Sequence, residues 1–361
     1  MVEMELATRL EVLSRTDLEQ PLRVMNLCGG FSRFWAESPW QDRLAKVVRV
    51  MPGPGCPVCV CPEADIKAAI HLATEERVWL TSFGDMLSVP VDRGKGSLFK
   101  AKEQGGMVHP VASPMEAVQL AKQNPQEKVV FLASGFEPTA APLAALLMDG
   151  APDNFYILNA LRLTWPAVDR LFSKGGSAPF DALIAPGNIT AIIGSECWRF
   201  AVTEYGMPVS VSGFHDETFL LALESVIRQH IIGKPRLDIR APERVRPKGN
   251  PYLQSCIDEV FEIGDAFWRG VGKVSESGYQ LKGPWQRRDA RNRFSSLKAF
   301  EQRPGDMPSD CMCAEIITAA SFPEKCLRYG QDCTPMSPVG PCMASQDGAC
   351  RVLWERQQGY Y

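Results

Sequence analysis

A chain of 361 residues with 45% hydrophobic and 22% charged residues has ordinary globular make-up and is long enough for two or three domains. Its net charge of −3 gives no basic footprint for nucleic acid or an anionic membrane surface. The stretch Met1 to Arg15 has no apolar core, and the longest apolar helical stretch, Phe214 to Ile232, carries Asp216, Glu217, Glu224 and Arg228, so the expectation is a cytoplasmic protein with no signal peptide and no membrane span. In a reducing compartment, 12 cysteines read as metal ligands and redox thiols rather than as staples.

In chain order, residues 1–20 read as an amphipathic helix ending near Arg15-Thr16, and Leu22 to Leu27 as a strand entering the turn Cys28-Gly29-Gly30. Phe31 to Trp40 opens a helix, and Lys46 to Met51 is a strand. That strand delivers the run Met51-Pro52-Gly53-Pro54-Gly55-Cys56-Pro57-Val58-Cys59-Val60-Cys61-Pro62, around which the chain is organised. Proline removes backbone donors and glycine permits positive φ, so the run reads as a rigid loop and not as helix interior or regular strand. Cys56 and Cys59 then have a fixed mutual geometry, which suits a redox disulfide, half of a metal site, or a tight turn with two buried thiols. Cys61 lies outside the pair and reads as a small buried apolar residue. Glu63 to Thr74 is helical, Val78 to Phe83 a strand ending in Gly84-Asp85, Ser97 to Gln104 a helix and Met107 to Ala112 a strand.

The pattern repeats. Strands are expected at Lys128 to Ala133, Asn154 to Asn159, Ala182 to Ala185 and Pro208 to Ser212. Helices are expected at Ala140 to Met148, at Trp165 to Phe172, from Pro186-Gly187-Asn188-Ile189-Thr190 through Phe200, and from Phe214 to Ile232. Alternating strands and helices imply α/β architecture: two doubly wound parallel-sheet domains facing a cleft, at residues 1–120 and 121–235, with the site outside the strand C-termini. Residues 236–310 read as a segment returning to the first domain. It holds a charged, Pro-rich connection, a helix at Tyr252 to Glu262, a β-like excursion at Gly264 to Lys282, and a linker from Pro284 to Asp310.

Residues 311–361 carry Cys311, Cys313, Cys326, Cys333, Cys342 and Cys350 among prolines and glycines. Thiols at this density, with too little apolar sequence for a core, point to a small metal-stapled C-terminal domain holding zinc or an iron–sulfur cluster. The paired Cys-X-X-Cys spacing of a zinc ribbon is absent.

Together, Cys28-Gly29-Gly30, Gly53-Pro54-Gly55-Cys56-Pro57-Val58-Cys59, Phe83-Gly84-Asp85, Gly135-Phe136-Glu137, Ala185-Pro186-Gly187 and the terminal cysteines make the chain resemble the HypD family of hydrogenase maturation factors over essentially its whole length. The resemblance implies two α/β domains, a third holding a [4Fe–4S] cluster, and work with a HypC-like small chaperone. It further implies a HypE-like donor that supplies cyanide from a modified cysteine, and assembly of an Fe(CN)2CO unit for the large subunit of a [NiFe]-hydrogenase. Cys28 then corresponds to an iron ligand shared with the chaperone, Cys56 and Cys59 to a redox pair, and Cys313, Cys326, Cys333 and Cys350 to the cluster ligands, with Cys311 and Cys342 weaker candidates.

Where the family pattern reads Cys-Gly-Gly-His-Thr-His, this chain has Phe31-Ser32-Arg33, and the family's Pro-Gly-His is Pro186-Gly187-Asn188. The Gly-Phe-Glu-Thr-Thr string becomes Gly135-Phe136-Glu137-Pro138-Thr139, and Cys-Gly-Glu becomes Cys313-Ala314-Glu315. Imidazole chemistry is therefore lost at those positions. Arg33 is expected either to favour a thiolate at Cys28 or to be a solvated helix residue. Glu137 is either an acid or base, or a carboxylate stabilised at a helix N-terminus. Two other functions fit the same cysteines: an iron–sulfur-dependent disulfide reductase, and a non-catalytic scaffold that binds a HypC-like partner.

Overall fold

The computed structural model describes residues 2–173, 178–301 and 306–360. Two parallel sheets carry the fold. The first holds β1 (Leu22–Asn26), β2 (Val48–Pro52), β7 (Ala182–Ala185), β8 (Val209–Val211) and β9 (Leu237–Ile239) in the order β2-β1-β7-β8-β9. The second holds β3 (Trp79–Phe83), β4 (Val108–Val111), β5 (Val129–Gly135) and β6 (Phe155–Leu161) in the order β4-β3-β5-β6. Every pairing in both sheets is parallel. The central strands are near-continuous apolar runs, as β5 shows by being buried at every position, because helices cover both faces.

The α/β reading therefore holds, but the sheets do not divide at residue 120. The first sheet joins residues 22–52 to residues 182–239, and the second is contiguous over 79–161. Local alternation of strand and helix cannot reveal which sheet a strand enters, and here the chain leaves the first sheet after β2 and re-enters it at β7. Each sheet has a switch point. In the first it falls between β1 and β7, whose C-terminal ends carry Cys28 and Pro186-Gly187; in the second it falls between β3 and β5, which lead into Gly84-Asp85 and Phe136-Glu137.

Residues 236–310 are more than a connection. They contribute β9 to the first sheet, then a helix, Pro251–Val260, packed on the helix Glu137–Met148. A β-hairpin follows, β10 (Phe261–Trp268) and β11 (Gly272–Leu281). The linker expected at Pro284 to Asp310 contains single-turn helices at Gly283–Arg288, Ala290–Arg293 and Ser295–Ala299, and its residues 302–305 lie outside the described residues. The helix expected through Phe200 is broken at Gly194, whose φ of 94° belongs to glycine's territory. A Cβ there would stand 2.3 Å from the Pro247 carbonyl oxygen.

The cysteine-rich C-terminal segment shares the main core. Cys313, Ile316, Ile317, Cys342, Met343 and Cys350 join one apolar cluster with Met25, Cys59, Val130 and Leu183. Its last helix, Ala349–Gln357, lies on the helix Gly29–Glu37, and Pro341–Ala344 lies on Pro57–Val60. Among the described residues no helix is long and apolar enough to cross a membrane.

Candidate functional site: a thiol pocket beside a cysteine group

The Pro-Gly run forms a single helical turn, Pro57–Val60, capped by Cys56. It begins with proline at the first helical position, where a missing N–H costs nothing, so the turn is a helix start rather than a helix interior. Cys56 Sγ accepts from the Cys59 amide at 3.2 Å, and the two cysteines form a disulfide with Cα atoms 5.3 Å apart. Gly55 makes the approach possible, since a Cβ there would lie 1.8 Å from the Leu27 carbonyl oxygen. Ser134 of β5 donates to the Pro57 carbonyl at 3.3 Å, which ties the loop to the second sheet.

Cys28 caps the helix Gly29–Glu37 directly after β1. Asn26, 2% exposed, donates from Nδ2 to the Cys28 carbonyl (2.7 Å) and to Ser32 Oγ (3.0 Å) and accepts from the Cys28 amide (3.2 Å), so the turn is locked from beneath. Cys28, Cys56 and Cys59 line one narrow pocket with Gly53 and, from the C-terminal segment, Asp347 and Ala349. Burial pushes the Cys28 thiol up, and the Asp347 carboxylate adds to the rise. Asp347 closes the pocket because residue 29 is glycine: a Cβ there would stand 2.5 Å from the Asp347 Cβ.

The residues that replace the family's imidazoles have other tasks. Phe31 is 8% exposed and stacks on Phe219 with ring centroids 5.3 Å apart, a core contact. Arg33 is drawn to the C-terminal segment, donating to the Gln346 carbonyl at 2.7 Å and pairing with Glu355 at 3.2 Å. It is thus a strap rather than a solvated helix residue, and the Cys28 thiol beside it is pushed up, not down. Asn188 lies in the first turn of the helix Gly187–Ile193 and accepts from the next amide, Ile189, at 2.9 Å.

Glu137 does not line the thiol pocket. It is fully buried at the start of the helix Glu137–Met148, where Thr164 donates to its carboxylate from its amide and its hydroxyl, both at 3.2 Å. Burial pushes it up to about 7. Cys61, fully buried as expected, is pushed up to about 12 by the same cause.

In the C-terminal segment the buried Cys313 thiol is acted on most strongly by its neighbours Cys311, Cys342 and Cys350. Cys333 lies near Cys311 and Cys326, and its sulfur accepts from the Val339 amide at 3.4 Å. The Cys311 thiol is pulled down to about 7 by its neighbour Cys313. Of the four expected ligands, then, Cys313 and Cys350 are in the contact group and Cys333 is at its edge. Cys326 is a neighbour of Cys333, while Cys311 and Cys342 lie beside Cys313. Spacing could not have revealed this, because Gly340 and Gly348 set it: a Cβ on Gly340 would stand 2.6 Å from both the Cys311 and Cys313 sulfurs, and one on Gly348 2.1 Å from the Cys342 carbonyl oxygen. Among the described residues no three His, Cys, Asp or Glu side chains are arranged around a single metal ion. Cys56 Sγ reaches Ser345 Oγ at 3.5 Å, so the disulfide abuts this segment. Sequence reasoning did not single out Ser345 and Asp347; their signal was a polar run with glycine between two cysteines.

Fold and site together define a two-sheet α/β protein whose switch-point thiol and buried disulfide share one pocket against the cysteine-rich C-terminal segment. The chain belongs to the HypD family: residues 3–357 match its profile, described as hydrogenase formation hypA family. It is 33% identical to the hydrogenase maturation factor HypD2 of Bradyrhizobium diazoefficiens, over 98% of this chain and 94% of that protein. It is also 33% identical to the hydrogenase maturation factors HypD of Cupriavidus necator (96% of this chain, 93% of the relative) and of Escherichia coli (94% and 90%).

Proposed function

We propose that this chain is a [NiFe]-hydrogenase maturation scaffold on which an iron bearing cyanide and CO is assembled, together with a HypC-like chaperone and a HypE-like cyanide donor. The observation that carries the reading is the convergence of Cys28, the Cys56–Cys59 pair and Asp347 on one pocket. Iron with cyanide and CO ligands favours a soft thiolate and exclusion of water. Cys28 supplies the thiolate as one ligand to this cargo, at a strand end where Gly30 leaves its sulfur uncrowded. Its raised thiol releases a proton when the metal binds.

Release of cyanide from a thiocyanate-type donor takes two electrons. The donor's S–CN bond and two thiols give a donor thiol, a disulfide, cyanide and one proton. Cys56 and Cys59 are placed to supply those electrons as their disulfide closes, and the disulfide must be reduced again by two electrons before the next cyanide.

The C-terminal thiols fit a [4Fe–4S] cluster, which would supply electrons one at a time when bound. Buried thiols in mutual contact and the glycine cradle at residue 340 support that fit. The contacts favour Cys342 over Cys326 as the fourth ligand beside Cys313, Cys333 and Cys350.

The disulfide-reductase reading is weaker. Cys56 and Cys59 are 7% and 1% exposed, and a partner protein's disulfide cannot reach sulfurs so deep. A silent scaffold has no need of a Gly55 turn packed tightly on Leu27 to close a disulfide beside Cys28. The test is anaerobic copurification with a HypC-like partner: iron with cyanide and CO infrared bands is expected, and a partner complex devoid of both contradicts the reading.

A further inference from the structure

Arg269 sits at the tip of the β10–β11 hairpin and its side chain is 1% exposed. Its amide donates to the Val60 carbonyl at 2.8 Å, directly behind the Cys56–Cys59 turn. The next residue, Gly270, packs on the C-terminal segment, where a Cβ would stand 3.0 Å from the Ala314 Cα, next to Cys313. The residue therefore joins the disulfide turn to the cysteine-bearing segment through its backbone, and its charge acts on the Cys311 thiol.

Its hydrogen bonds are incomplete. Nη2 donates to Glu63 Oε2 at 3.1 Å and to the Pro90 carbonyl at 3.2 Å, while Nε and Nη1, both buried, have no partner. Glu63 is itself shared with Lys67, at 2.9 Å, and accepts from the Asp92 amide. Asp306 is the other carboxylate nearby, and burial raises it. Arg162 is the contrast: equally buried, it is spent on the Phe267 carbonyl at 3.0 and 2.8 Å, on the Leu161 carbonyl at 3.0 Å, and on Asp65. A buried guanidinium with two orphaned N–H groups is costly unless a further acceptor completes it. A cluster held by four thiolates is such an acceptor, and the cysteine group is the adjacent element that would carry it.

We propose that Arg269 is a positioning residue that holds a permanent positive charge and two N–H donors against the cysteine-held cluster and raises its reduction potential; this rests on the cluster reading above. One-electron reduction adds negative charge at the thiolate-bound group, with the chemical titrant as the electron source and no bond made or broken, so a fixed nearby cation favours the reduced form. The placement makes the group behind the disulfide a better electron acceptor without the arginine touching pocket or substrate.

The experiment is a mediated redox titration of the reconstituted full-length protein, followed by electron paramagnetic resonance, for wild type, Arg269→Gln and Glu63→Gln. Arg269→Gln is expected to shift the one-electron equilibrium about tenfold toward the oxidised form, a midpoint about 59 mV lower. Glu63→Gln removes the counter-charge and is expected to move the midpoint the opposite way, which a merely structural role would not do. It also decides the matter if Arg269→Gln fails to fold or load. Loaded proteins with unchanged midpoints overturn this inference alone. A wild-type protein that takes up no iron and sulfide overturns the cluster reading and this inference together.

Discussion

Residues 51–62 and residues 311–350 both set cysteines among prolines and glycines, and they fix them by different means. In the first stretch the pair is local: Cys56 and Cys59 share one helical turn whose start is set by Pro57 and whose approach to β1 is set by Gly55. In the second the thiols come from a short helix at Cys313–Ile317, another at Pro341–Ala344 and the start of Ala349–Gln357, and they bring together residues as far apart in the chain as Cys313 and Cys350. A local pair is written in its spacing, whereas a distributed group is written in the packing that brings its parts together. The loop should therefore fail through its backbone, and the tail through the loss of any one thiol in contact.

The largest expected effect is all-or-none. Cys342→Ala should abolish the iron–sulfur absorption of reconstituted protein and Cys326→Ala should leave it, measured as iron and sulfide per chain; the reverse result would restore spacing over contact as the guide to the tail. Next comes the loop. Gly55→Ala drives a methyl group into the Leu27 backbone and should cost about 3 kcal/mol or more in chemical denaturation, because backbone cannot yield as a side chain can. It should also leave Cys56 and Cys59 open to alkylation in oxidised protein, and full protection would show that the turn tolerates a Cβ.

A pH effect follows from Glu137. The folded protein keeps its proton up to about 7, whereas the unfolded chain releases it at the ordinary carboxylate value. Wild-type stability is thus highest below that ordinary value and is lost as pH rises through about 7. Glu137→Gln removes this loss, so its stability relative to wild type should rise between about pH 5 and pH 8 by on the order of 2–3 kcal/mol in urea unfolding. A flat difference would mean the carboxylate stays ionised in the fold. The smallest effect belongs to the strap between the two regions. Arg33→Ala gives up the Gln346 carbonyl and the partly buried pair with Glu355, and should cost about 1 kcal/mol in the same assay.

Much of the scaffold was legible in the sequence. Alternation of apolar strands with helices located β1 through β8 within a few residues, since most are short, largely buried runs and several lead straight into glycine or proline, as β3 into Gly84 and β7 into Pro186. The helix Pro114–Gln123 went unread although its start is signalled by Ser113, Pro114 and Glu116, whose carboxylate accepts from the Ala112 amide at 2.9 Å. Three-residue β9 passed as connection because Leu237–Ile239 is only half-buried at the sheet edge. The division into domains was illegible, as nothing local marks the chain's departure from the first sheet at residue 52 and its return at residue 182.

At the site, Cys28 and the Cys56–Cys59 pair were readable because glycine and proline around a thiol mark a rigid turn. Asp347, Ser345 and Arg269 were not, because each acts through contacts between segments far apart in the chain: with Gly29, with Cys56, and with Val60 and Glu63. Phe31 and Arg33 were visible as departures from a family motif, but their meaning came only from Phe219 on one side and Gln346 and Glu355 on the other.

The central claim is that Cys28 holds the iron in the pocket it shares with the disulfide. It is tested most directly by infrared spectroscopy of wild type and Cys28→Ala, each copurified anaerobically with a HypC-like partner. The account predicts cyanide and CO bands with bound iron in the wild-type complex, and neither in a Cys28→Ala complex that still contains the partner and the iron–sulfur absorption. Retention of the iron and its bands by Cys28→Ala would contradict it.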